Sequence, residues 1–330
     1  MSAPETDSMC QFTYGLLIVV ACVLPQRLEA VDSLVPAGRQ LEQLWNEGEF
    51  TEGVAVRSDG VVFFSDITKD PAANGRILKF APTTSETTVF ASNSRKSNGL
   101  FFDAHDRLLA CCGANGGAMA LCEVSADGIV KPLMERFRGK RFNSPNDLVV
   151  HANGSVYFSD PRYLGPESIE LKHQSVYRFT PKTRKLRRVT TDIEKPNGVH
   201  VSPDGETLYV AETNNGSTGQ DADAAPQRGR MTLNAFTIRP DGSLTNKRVL
   251  VNFGDQLGID GMTIDQAGNI YAAVRSEDRF GIVVYSSKGE ELAYIRTPSL
   301  PTNCCFGVGT ASSVLYVTAG GGFYRINLAK

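Results

Sequence analysis

Apolar residues come in short paired bursts along this chain, and the same kind of polar residue introduces each pair. The clearest case runs from Asn146-Asp147 through Leu148-Val149-Val150, the polar turn His151-Ala152-Asn153-Gly154 and the apolar Val156-Tyr157-Phe158, ending on Ser159-Asp160. Apolar runs of this length, bounded by turn residues, predict buried β-strands joined in a hairpin. The same phrase begins at Glu52-Gly53, Asn98-Gly99, Asn197-Gly198, Asp260-Gly261 and, less cleanly, Asn303-Cys304. The six leading residues stand 46, 48, 51, 63 and 43 apart, a mean near 50. One Asn-Gly marks only a turn. Six in register mark a repeat, and a β-rich period of about 40 to 50 residues is that of a propeller blade. The predicted fold is all-β: a six-bladed β-propeller of four-stranded blades around a central channel.

The last repeat shows only three strands, at 304–308, 313–318 and 322–328, while Arg39 to Asn46 has strand character of its own. The N-terminal strand is therefore expected to complete the last sheet and close the ring, which removes exposed sheet edges. Tight turns such as Ser58-Asp59-Gly60 and Gln266-Ala267-Gly268 join first to second strands. His105 and His151 lie in or beside such turns and are expected simply to be solvated. Because strands alternate in direction, the second-to-third connections open on the other mouth, where the six leading residues gather. Those connections are long: Asp66 to Gly75, Asp160 to Gln174 and Glu212 to Arg230. Long loops over one face of a rigid scaffold are where function tends to sit.

The propeller is assigned to residues 31–330 as a single domain, and residues 1–30 to a signal peptide. The apolar run Phe12 to Leu24 is too short to span a bilayer as a helix but suits a signal-peptide core, with Leu28-Glu29-Ala30 as a cleavage site. The first eleven residues carry Glu5 and Asp7 and no Lys or Arg, so the usual positive start is missing. Val19-Val20-Ala21-Cys22 resembles a bacterial lipoprotein box, which leaves a lipid anchor at Cys22 open. The expectation is an exported protein, periplasmic or secreted, with no transmembrane span in the mature chain.

With 34 basic and 36 acidic residues the chain shows no overall footprint for nucleic acid or an anionic membrane, and no basic run is expected to interrupt that balance. Function must then come from a site. Beyond residue 30 the cysteines are Cys111, Cys112, Cys122, Cys304 and Cys305, with no Cys-x-x-Cys pair, which argues against zinc or dithiol chemistry. A disulfide within blade two stays open.

The ring of leading residues is the chemical feature. Glu52, Asn98, Asn146, Asn197, Asp260 and Asn303 offer two carboxylates and four amide oxygens, with no His or Cys. Oxygen-only ligation suits a hard cation, and Ca²⁺ tolerates mixed carboxylate and amide oxygens better than Mg²⁺ does. Two carboxylates in a partly dry channel are costly unless a cation compensates them. For Asn98 and Asn303, hydrogen bonding to neighbouring strand ends is an equal alternative.

In order and spacing these motifs resemble the regucalcin/gluconolactonase family of six-bladed propellers, over roughly residues 40 to 328. They are Glu52-Gly53, Ser144-Pro145-Asn146-Asp147-Leu148, Phe158-Ser159-Asp160-Pro161, Pro196-Asn197-Gly198-Val199 with Ser202-Pro203-Asp204-Gly205, Asp260-Gly261-Met262, and the closing Thr302-Asn303-Cys304 with Leu315-Tyr316-Val317-Thr318. The resemblance implies one Ca²⁺ held by Glu52, Asn146, Asn197 and Asp260, and hydrolysis of sugar lactones or related small esters. Asn98, Asn146 and Ser144 are the positions expected to face substrate. Where animal regucalcins carry a sugar-binding Arg this chain has Ser144, which puts gluconolactone-type specificity in doubt. Asp260 is assigned as general base on the resemblance, since spacing does not separate it from Glu52. A cation with an open coordination position can polarise the carbonyl while the base takes a proton from water.

Asp160 and Glu212 are reserve acids, and Arg162, Tyr163 and Arg275 candidate substrate contacts, with capping and packing roles as the blander alternatives. No Gly-x-Ser-x-Gly elbow or His-Glu-x-x-His helix is present. His173 and His200 are the histidines that a different base would require. Two other functions stay open: a phosphotriesterase-like hydrolase, and a non-catalytic binding propeller with structural calcium.

Overall fold

In a computed structural model, which describes Met1 and residues 34–220 and 227–329, the chain forms six four-stranded antiparallel sheets. The signal segment (Met1 apart), its cleavage site and Cys22 lie outside the described residues; among the described residues no helix is long and apolar enough to cross a membrane. The innermost strands are Thr51–Val56, Ser97–Phe102, Leu148–Val150, Pro196–Val201, Ile259–Ile264 and Pro301–Phe306. Glu42–Trp45 pairs with Gly322–Asn327 and so supplies the fourth strand of the last sheet, as the three-strand count predicted.

Burial follows the radial order of the strands. Second strands such as Val62–Asp66 and Val156–Asp160 are buried at every position, because each is covered on both faces by neighbouring blades. Outer strands such as Glu86–Ala91 and Lys185–Thr190 are largely exposed or half-buried. The apolar side chains segregate into clusters, each between two adjacent blades. Ala55, Phe63 and Ile77 meet Leu100, Ala110 and Cys122 between blades one and two. Across the closure, Phe64 stacks on Phe323 at 4.4 Å, with Phe80 and Tyr316 in the same cluster. The ring is thus sealed by the same packing that joins every other pair of blades, not by strand pairing alone.

Cys111, Cys112, Cys122 and Cys304 are buried free thiols that fill space between blades, and Cys305 is a half-buried one. The blade-two disulfide is therefore absent. His105 is exposed as expected, but His151 is half-buried: its Nε2 lies 3.0 Å from Gly205 O, linking the turns of blades three and four. One element escaped the repeat pattern. Arg136–Phe137 pairs with Lys140–Arg141 in a small hairpin between the second and third blades.

Candidate active site at the channel mouth

Five of the six ring residues meet at one cavity of about 280 Å³: Glu52, Asn98, Asn146, Asn197 and Asp260. Local backbone explains why they point there. The ladder slips between Glu52 and Ala55, Ser97 and Leu100, Pro196 and Val199, and Ile259 and Met262. Such bulges re-aim a side chain out of the normal alternation. The glycine after the ring residue then lets the next blade approach. A Cβ on Gly53, whose φ is +46°, would stand 1.9 Å from Asn98 O, and one on Gly198 would stand 2.3 Å from Asp260 O. The recurring acid-or-amide plus Gly is therefore a packing requirement as well as a chemical one.

Blade three breaks that rule with Asp147 in the glycine position. Its buried carboxylate accepts the Val199 N–H at 3.0 Å, and burial pushes its pKa up to about 7. Asn303 turns towards Asp147 and takes its own chain's Cys304 N–H at 2.8 Å. The sixth ring position thus serves the strand ends and does not line the cavity. Asp147 had not been singled out as functional. Its signal in the sequence was the one acid standing where four blades have glycine.

Glu52 and Asp260 are both about 3% exposed and in contact. Burial, and then the Asp260 charge, hold the Glu52 carboxyl well above the usual range. Burial also raises Asp260, opposed by Arg275, whose Nη1 lies 3.0 Å from Asp260 Oδ2, and by hydrogen bonds from Asn197 and Glu52. Asn197 Oδ1 is buried with no hydrogen-bond partner among the described residues, which is a costly state for an amide oxygen. Two abutting buried carboxyl groups that share a single guanidinium, with an orphaned amide oxygen beside them, form a donor set that fits a hard divalent cation.

The surrounding wall comes from the long loops. Tyr163 lines the cavity and donates its hydroxyl to Thr213 O at 3.0 Å, and Leu164, Phe50 and Ile67 add apolar surface. Ser144 also lines it, with its Oγ accepting the Ala114 N–H at 2.9 Å. Two lysines that the sequence reading passed over hold these loops. Each stands two residues ahead of a ring asparagine and is almost fully buried. Lys96 Nζ donates to Thr68 O at 2.7 Å and Asp70 O at 2.6 Å. Lys195 Nζ donates to Ser217 O at 2.6 Å and Asn215 Oδ1 at 3.1 Å, and lies 4.9 Å from the Tyr163 ring centre. Burial lowers Lys195 to about 8.

Several other candidates are structural. Asp160 accepts the N–H groups of Asn143 at 3.0 Å and Ser144 at 2.8 Å. Glu212 accepts the Glu194 N–H and binds Arg230 and Thr232. Both acids pin the backbone entering their own blade, as Asp66 does for Glu49 and Phe50. Arg162 has no exposed surface, and its guanidinium is spent on carbonyls of the loops. His200 donates from Nδ1 to Val201 O at 2.9 Å, and burial depresses it to about 4. Neither it nor His173 lines the cavity.

Comparison with known proteins agrees with the fold. A gluconolactonase from Zymomonas mobilis is 27% identical over 90% of this chain and 83% of its own. The structure of a gluconolactonase from Xanthomonas campestris superposes with a TM-score of 0.76 at 30% identity, covering 90% of this chain and 92% of that one. A calcium-binding regucalcin from Agrobacterium tumefaciens shares the fold, with a TM-score of 0.66 at 19% identity, covering 88% and 93%. Residues 50–321 match the SMP-30/Gluconolactonase/LRE-like region, a span that takes in every ring residue, and the chain belongs to that family.

Proposed function

We propose that this protein is a lactone hydrolase whose substrate carbonyl sits in the channel-mouth cavity, beside a Ca²⁺ held by Glu52, Asn146, Asn197 and Asp260. The observation that carries the reading is the buried, abutting pair Glu52 and Asp260 next to the orphaned Asn197 oxygen. When bound there, the cation supplies Lewis-acid polarisation of the carbonyl and charge for the developing oxyanion.

The remaining work belongs to the chain. Asp260 Oδ2, oriented by Arg275 at 3.0 Å, takes a proton from the attacking water as the water oxygen bonds to the carbonyl carbon. Collapse of the tetrahedral intermediate breaks the ring C–O bond, and the same proton passes to the departing alkoxide. That order returns Asp260 to its ionised form. Asn98 and Ser144 offer hydrogen bonds to substrate hydroxyls, and Tyr163 and Leu164 limit water around the acyl group. The serine in place of an arginine makes the pocket less demanding of a polyhydroxylated sugar. Export, on the strength of the apolar Phe12 to Leu24 run, is part of the same proposal and is checked by cell fractionation.

The direct test is hydrolysis of a small lactone panel by wild type and Asp260→Ala, with calcium and with chelator. Turnover by calcium-loaded wild type, lost in the variant and on chelation while circular dichroism is unchanged, is the expected result. No turnover of any lactone by the loaded wild type would refute the reading for that panel.

A further inference from the structure

Charge is balanced over the whole chain but not over its surface. Residues 131–141 and 182–188 hold ten of the 34 basic residues and one acid, Glu135. The expected evenness of charge therefore fails locally, and the fold makes the failure larger. The first segment is the outer strand of blade two with the extra hairpin, and the second is the outer strand of blade three with the turn before it. They come together around a groove of about 520 Å³ lined by Arg136, Arg138, Arg187 and Arg188 together with Phe137. No acid lines it.

The groove arginines lack the close ion pairs that eight arginines elsewhere make. Eight arginines outside the groove, among them Arg57, Arg76, Arg230 and Arg325, lie 2.6–3.0 Å from a carboxylate oxygen. In the groove the nearest are Glu170, 3.8 Å from Arg136, and Asp241, 3.8 Å from Arg187. Arg138 and Arg188 have no ion pair among the described residues. Both guanidinium carbons instead lie over the ring of Phe137, at 5.3 and 5.5 Å from its centre. Phe137 is itself buried and set edge-on against Tyr177, so the platform is fixed. Arg138 also occupies the first turn position of the hairpin at φ +52°, followed by Gly139 at +79°, a turn for which Asn-Gly is the ordinary choice. Like charges gathered on a rigid support with only distant counter-charges repel one another, and a bound anion would reduce that cost.

We propose that this groove binds a phosphate group, free or esterified, between the guanidinium groups of Arg138 and Arg188, with Arg136 and Arg187 completing the field. The planar guanidinium fork matches adjacent phosphate oxygens, and stacking on an aromatic face pre-orders it. The groove shares no lining residue with the channel-mouth cavity, and the proposal does not depend on lactone hydrolysis.

The test uses the full chain at low ionic strength, titrated calorimetrically with inorganic pyrophosphate, and in parallel sedimented with phosphatidylglycerol or phosphatidylcholine vesicles. Pyrophosphate should bind wild type, weaken with added salt, and bind Arg138→Gln/Arg188→Gln at least tenfold more weakly. The exposed single change Arg138→Gln should show part of that loss with an unaltered unfolding midpoint, which separates lost binding from lost folding. Phosphatidylglycerol binding that pyrophosphate displaces, and that needs the same arginines, would make a lipid headgroup the source. Pyrophosphate binding without vesicle binding would make it a soluble phosphate. No heat with pyrophosphate in wild type, or equal affinity in wild type and the double variant, would overturn the proposal.

Discussion

Replacing Arg162 separates a residue that builds the cavity from one that touches substrate. All three of its guanidinium nitrogens are engaged. Nη1 donates to Asn143 O at 2.9 Å, and Nη2 to Gly165 O at 2.8 Å, Glu167 O at 2.5 Å and Glu167 Oε2 at 3.0 Å. Nε donates to Thr218 O at 3.3 Å. Glu167 in turn accepts the N–H groups of Asn115 at 3.2 Å and Gly116 at 2.7 Å. One buried cation therefore joins the loops of blades two, three and four above the cavity. Adding about 1.5–3 kcal/mol for each charge-assisted bond would overstate its worth, because deletion also relieves the cost of burying the cation. Removing one partner of a buried charged network costs about 3–5 kcal/mol, which is the expected loss for Arg162→Met.

Urea unfolding followed by circular dichroism measures that loss, and lactone kinetics measure its consequence. Because Tyr163 and Leu164 adjoin the deleted side chain and line the cavity, KM should rise and kcat/KM fall at least tenfold. Arg162→Lys keeps a charge but not the fork, so it should recover only part of both. If Arg162→Met abolished turnover with an unchanged unfolding curve, the guanidinium would be acting on substrate and the structural assignment would be wrong. If neither quantity changed, the network would carry no energy.

Three other outcomes are expected. Glu52→Gln removes one of two abutting buried carboxylates, so chelated protein should unfold at a higher temperature than wild type, while the calcium-induced rise expected of wild type should vanish; a calcium shift of equal size in both would count against Glu52 as a ligand. Gly198→Ala puts a Cβ 2.3 Å from Asp260 O, a backbone atom that cannot yield cheaply, and should cost about 1–3 kcal/mol of stability along with activity; wild-type values in both assays would refute the close-packing argument. His200 titrates near 6.5 unfolded but about 4 folded, because burial disfavours its charged form. As pH falls through that window the unfolded chain takes up a proton that the folded chain refuses, so up to about 3 kcal/mol of stability is lost between them. His200→Gln should flatten that slope in unfolding measured at about pH 7 and about pH 4.5, and an unchanged slope would exclude His200 as its source.

The sequence by itself determined the architecture and most of the donor set. Strand pairs recur with a nearly fixed period, and a blade must pack against its neighbours, so Glu52, Asn98, Asn146, Asn197 and Asp260 had to fall at equivalent places on one mouth. The missing fourth strand of the last repeat likewise had one geometric remedy, and Glu42–Trp45 supplies it. Tertiary structure decided which similar residues do dissimilar work. Asp160 and Asp260 are both acids beside strand ends at the same mouth. Yet one meets two backbone N–H groups and the other a second carboxylate and a guanidinium. Lys96 and Lys195 look like surface lysines until the loops that accept their bonds, about 20 to 30 residues away in the chain, are folded over them. The arginine groove is assembled from segments about 50 residues apart whose excess charge is cancelled in any whole-chain sum. Periodicity is legible along the chain because it repeats in one dimension. Burial, pairing and electrostatic environment depend on through-space neighbours, and only the closed ring specifies those.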